Sequence, residues 1–130
     1  MIGHLAATGI SVSDQDKARD FYTSKLGFEV REDSPMGDGP RFLVVAPPGA
    51  ETGIILQHGY GSYAAERVGT FTGIVFATDD IQATYAELRD HGVRFSEPPT
   101  AQPWGMLQAL FEDQDGNGYV LVQPAGPGGH

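Results

Sequence analysis

Four histidines, five tyrosines and no cysteine define the chemistry open to this 130-residue chain. Without a thiol, disulfides, thiolate nucleophiles and sulfur-ligated zinc are excluded. His91 falls in the last turn of an apolar-striped segment, where an imidazolium suits a helix dipole and stays solvated. His130 is terminal, and His4 has the opposite strand parity to Ala7. His58 ends an apolar run, which leaves it as an ordinary loop histidine or a general base.

Asp113-Gln114-Asp115-Gly116-Asn117-Gly118 places oxygen-bearing side chains at the first, third and fifth positions of a calcium-loop pattern. The twelfth position is Pro124 instead of Glu, so the run reads as a tight turn with Gly and Asn at positive φ. No Gly-x-Ser-x-Gly elbow and no phosphate loop of the Walker type is present.

Composition narrows the class further. Forty per cent hydrophobic and 19 per cent charged residues supply a packed core and argue against disorder. A formal charge of −9, with scattered acidic residues, excludes an extended nucleic-acid footprint. No run reaches the roughly 18 apolar residues of a spanning helix, and Met1–Gly9 lacks the charged start of a leader. The expectation is a cytoplasmic chain with no membrane partner. The length fits one domain over residues 1–130, and the Gly/Pro-rich tail from Pro124 has no role in it.

The elements that must position any site repeat in order. Leu5–Val12 reads as a strand running into a cap at Ser13-Asp14, then a helix with Ala18, Phe21, Tyr22 and Leu26 on one stripe, stopped by Gly27. Strands follow at Phe28–Glu32, Arg41–Ala46 and Gly53–His58. After a polar connection at 59–70 the order begins again. A strand at Phe71–Ala77 precedes a helix capped by Asp79 or Asp80 with Ile81, Tyr85 and Leu88 inward, stopped by Gly92. Further strands fall at Val93–Ser96, Leu107–Glu112 and Tyr119–Gln123. The prediction is an α+β fold of two tandem βαβββ modules, about 4–58 and 71–124, forming curved mixed sheets around a cleft. A half of this size buries only one face of its sheet, so two halves must pair.

Ile10-Ser11-Val12-Ser13-Asp14, Phe21-Tyr22, Leu26-Gly27-Phe28 and Phe111-Glu112-Asp113-Gln114-Asp115-Gly116-Asn117 together resemble the vicinal oxygen chelate superfamily over about residues 4–124. That family includes glyoxalase I, extradiol dioxygenases, fosfomycin-resistance enzymes and bleomycin-resistance proteins. The resemblance implies a divalent metal held by His and Glu on the first and fourth strands of each module. Carried over residue by residue, those positions fall on Ala7, Gly73, Val120 and either Leu56 or Gln57. Three lack a donor atom, and Gln57 is neutral. A catalytic metal usually needs about three protein ligands with one position open, so no metal or other cofactor and no catalytic residue is expected.

Ala7, Gly9 and Ser11 share one strand face, as do Gly73 and Ala77, which leaves the predicted cleft roomy and apolar. Trp104, the sole tryptophan, lies in a loop ending at Met106 and either packs on the sheet or joins the cleft wall. The expected ligand-binding residues are Ser11, Gln57, Trp104 and Met106. The reading is a protein that binds or sequesters an apolar or aromatic small molecule, in the manner of bleomycin-resistance proteins. The alternative is a lyase, isomerase or dioxygenase of the glyoxalase type using an unrecognised metal or acid/base site such as His58 or a tyrosine; an accessory subunit with a vestigial cleft is a third. Similar proteins pair between chains, so the resemblance also implies a homodimer.

Overall fold

A computed structural model of the chain describes residues 1–124, so His130 and all but the first residue of the Gly/Pro-rich tail lie outside the described residues. The strand predicted from Leu5 begins at Ala7, and β1 spans Ala7–Ser11. His4 therefore precedes the sheet, beside Glu51, and strand parity does not govern it. Helix α1 spans Gln15–Ser24, and the Asp14 carboxylate accepts from the Lys17 amide to cap its first turn. Strands β2 (Glu29–Pro35), β3 (Arg41–Ala46) and β4 (Gly53–Gln57) complete the first module.

The second module repeats the order with β5 (Phe71–Ala77), α2 (Ile81–Asp90), β6 (Arg94–Ala101), β7 (Leu107–Glu112) and β8 (Gly118–Gln123). Asp80, not Asp79, caps α2 by accepting from Ala83. Between the modules, Ala65–Arg67 make one 3-10 turn. The strand order is β1-β4-β3-β2 in one sheet and β5-β8-β7-β6 in the other. In each, a parallel pair sits beside an antiparallel hairpin, so the α+β two-module architecture stands as expected.

Strands β2 and β6 run longer than the sequence suggested. Asp33-Ser34-Pro35 and Glu97-Pro98-Pro99-Thr100 read as loop, yet both belong to the outermost strand of their sheet. An edge strand needs a partner on one side only, which is where proline and charge are tolerated.

One apolar core serves both modules, joining Ile10, Leu43 and Leu56 of the first to Ile81, Phe111 and Leu121 of the second. Aromatic rings carry the junction. Phe28 meets Phe76 edge-on at 5.5 Å between centroids, and Tyr22 meets Tyr119 at 6.3 Å. The helix ends are also tied: Lys25 Nζ donates to the His91 carbonyl at 3.0 Å, and His91 Nδ1 lies 2.9 Å from the Lys25 carbonyl. His91 is thus the C-terminal cap expected of it, with its ring engaged by α1.

Candidate ligand-binding site

Strand alternation gives each sheet a core face and an open face. In the first sheet Leu43, Val45, Ile54 and Leu56 are buried on the core side. Leu56 therefore leaves the question of the fourth family position to its neighbours. The strand registers answer it: Val120 pairs with Val75, two residues after Gly73, and Ile55 pairs with Gly9, two residues after Ala7. Ile55 is the counterpart of Val120. Ile55 precedes the expected pair Leu56 or Gln57 by one or two residues, and counting along one strand does not fix such a register.

The two open faces match row for row. Gly9, Ile55, Val44 and Glu32 run across the first sheet, and Val75, Val120, Leu110 and Glu97 across the second. Where the family places His and Glu, this chain has Ala7, Ile55, Gly73 and Val120, four side chains without a lone pair to donate. The residues present do not fit a divalent ion at that position. Among the described residues no group of three His, Asp or Glu side chains is placed to hold one.

The open face of the second sheet is apolar and accessible. Phe71 and Val75 are 63% and 57% exposed, large values for such side chains. Along the same strand runs a groove of about 700 Å³, whose lining includes Leu5, Ile54, Gly73, Val75 and Phe76. Its size is that of a pocket for an organic molecule. Gly73 takes φ +77° at the irregularity between Phe71 and Val75, a conformation that a β-carbon would strain.

The structure brings two of the four expected binding residues together. Ser11 and Gln57 are paired neighbours on β1 and β4, both buried. Their polar atoms bond the connection. Ser11 Oγ accepts from the Ala64 amide at 3.1 Å, and Gln57 Oε1 accepts from Ser62 Oγ at 2.9 Å. A β-carbon at Gly9 or Gly61 would sit 2.7 Å from the Gln57 amide nitrogen, so the glycines admit that side chain. Trp104 and Met106 are in the other module, in the turn between β6 and β7, with Trp104 64% exposed. No residue count joins these pairs into one site.

His58, Tyr22 and Tyr119 each have a partner, whereas the buried Tyr60 hydroxyl has none among the described residues. His58 Nδ1 lies 2.9 Å from the Val12 carbonyl, and its ring packs against Tyr63. Tyr22 donates to Asp113 Oδ2 at 2.5 Å, which leaves Tyr119 as the donor to Tyr22 in their 2.5 Å contact. Burial pushes both phenols above their ordinary range. Burial also raises Asp113, although Tyr22, Asn117 and two main-chain amides all donate to its carboxylate and oppose that rise.

The residue that sequence reasoning passed over is Asn117. Its predicted positive φ is absent, since only Gly116 in that turn adopts one. Asn117 is 1% exposed and uses its whole amide: Nδ2 donates to the Ser11 carbonyl and to Asp113, while Oδ1 accepts from the Gly69 amide. A buried side chain with these partners is a joint between modules and connection, which turn chemistry alone could not announce.

Comparison with known proteins agrees with this architecture. TnmS3, an antibiotic binding protein from Streptomyces sp. CB03234, is 38% identical, with 95% of this chain and 98% of that chain covered and a TM-score of 0.82. A superfamily member from Sphaerobacter thermophilus is 39% identical over 95% of this chain and 98% of that one, with a TM-score of 0.84. A probable lactoylglutathione lyase from a Synechocystis species is 30% identical, covering 92% of this chain and 94% of its own. The family model described as Glyoxalase/Bleomycin resistance protein/Dioxygenase superfamily matches residues 1–121. The chain belongs to that superfamily.

Proposed function

We propose that this protein binds an apolar or aromatic small molecule without a metal, and that it sequesters the compound rather than transforming it. The observation that carries this is the set Ala7, Ile55, Gly73 and Val120, carbon side chains where metal-dependent relatives need donors. The open face around Phe71, Val75 and Val120 offers the apolar surface, and similarity to an antibiotic binding protein supports the ligand class. Trp104 and Met106 serve as a wall of the bound state. Ser11 and Gln57 shape it from beneath by fixing the connection. An exposed apolar face of this kind calls for a cover, and a second copy of the chain supplies it in the same proposal, which places a homodimer in the cytoplasm.

Calorimetry with planar apolar antibiotics and simple phenols tests the reading, beside elemental analysis of purified protein. Saturable binding lost in Val120→Asp, with no stoichiometric metal and no change in melting temperature on adding EDTA, is expected. One tight metal per chain, or turnover of a small carbonyl or catechol substrate without such binding, overturns it in favour of a lyase or dioxygenase of the glyoxalase type.

A further inference from the structure

A second, smaller cavity of about 90 Å³ lies where β1 meets the connection and the start of β5, lined in part by Gly9, Ser11, Ser62, Arg67, Thr70 and Thr72. It is well above the ~10–15 Å³ that one water needs. Four donors belong to residues that line it. The first is the Ser11 hydroxyl, buried and accepting from Ala64, whose own proton has no acceptor. Arg67 is the second, and it enters no ion pair among the described residues of a chain with net charge −9.

The other two are main-chain amides. The Ala6 carbonyl and the Val12 amide face β4, so the alternate residues Gly9 and Ser11 present their amides to the opposite, unpaired edge of β1. The Asn117 bond to the Ser11 carbonyl, which comes from that same side, agrees with this. The remaining hydroxyls have spent their protons elsewhere: Ser62 on Gln57, Thr70 on the Arg67 carbonyl, Thr72 on the Gly118 carbonyl. They offer lone pairs to the cavity.

A guest must therefore carry negative charge for Arg67 and keep a proton to give. We propose that this cavity binds the hydrogen phosphate ion. Sulfate has the same shape and charge but no proton near neutral pH. Gly9 also lies on the open face of the first sheet and Thr72 also lines the larger groove, but Arg67 lines only this cavity, so its variants test this site apart from the small-molecule reading.

The test is titration of the intact protein with inorganic phosphate, phenyl phosphate and sulfate at matched ionic strength, read by melting temperature and by amide resonances. Phosphate is expected to raise the melting temperature saturably and to shift the Gly9 and Ser11 amide signals with the same dissociation constant. Arg67→Ala should weaken binding by about tenfold or more, because a charge-assisted contact is lost, while Arg89→Ala, on α2, keeps the wild-type response. Arg67 is exposed, and an unchanged melting temperature without phosphate confirms that its variant folds; Arg67→Gln is the second variant should it not. Phenyl phosphate, whose dianion keeps no proton near neutral pH, should bind no better than sulfate. An unsaturable response, sulfate binding equal to phosphate, or an undiminished response in both Arg67 variants overturns the proposal.

Discussion

The side-chain amide of Asn117 donates to the main-chain carbonyl of Ser11 at 3.1 Å, closing a contact across 106 residues. The same amide group holds Asp113 and Gly69, so one buried side chain joins the end of β1, the turn before β8 and the inter-module connection.

Asn117→Ala leaves those three groups short of a partner. Each unsatisfied buried group costs about 1–3 kcal/mol. The expected result in urea is a marked fall in the unfolding midpoint with an unchanged slope, checked by equilibrium denaturation. A midpoint equal to wild type contradicts it.

Asp113 gives a pH dependence of definite sign. Burial raises its folded-state pKa above the ordinary value of 3.8, so the folded state holds the proton more tightly than the unfolded state. Its contribution to stability is complete below that ordinary value and declines as pH rises through the raised one. The stability difference between wild type and Asp113→Asn should therefore shrink as pH increases from about 4 and then level off. Denaturation across the acid range measures it, and a difference that grows with pH refutes the assignment.

Tyr22→Phe removes the donor to Asp113 and the acceptor for Tyr119 without altering the ring packing. A hydrogen bond to a charged group contributes roughly 1.5–3 kcal/mol. Thermal unfolding should show a loss of that order, and the pH dependence assigned to Asp113 should move to higher pH because a donor to its ionised form is gone.

Gly9→Ala places a methyl 2.7 Å from the Gln57 amide nitrogen. Overpacking of this kind costs about 1–3 kcal/mol. The double variant Gly9→Ala/Gln57→Ala should recover part of the loss, because the two effects share one contact. Additive losses in the double variant would show that the clash is relieved elsewhere.

Trp104→Ala should change stability by no more than about 0.5 kcal/mol, since the side chain is 64% exposed. Its emission in the free chain should be open to quenching by acrylamide and become protected when a planar ligand or a second chain covers the turn. Emission that is protected in the isolated monomer would contradict the exposure.

What the sequence by itself determined follows from short-range physics. Period and capping placed both helices, with Asp14 and Asp80 where a side-chain oxygen must meet the first free amides. Alternation placed β3, β5 and β7 to the residue, because a strand buried on one face has one pattern open to it. The residue types at Ala7, Gly73 and Val120 likewise needed no coordinates to be read as lacking a donor atom. Tertiary structure decided whatever depends on which strand lies beside which. Ile55 became the counterpart of Val120 through its pairing with Gly9, Ser11 and Gln57 turned out to bond the connection, and Asn117 became a joint instead of a turn residue at positive φ. The pairing of Gly9 with Ile55 spans 46 residues and the Asn117 bond to Ser11 spans 106, and local propensity carries no information across such distances because the energy that selects them is released only when distant strands and the two modules pack together.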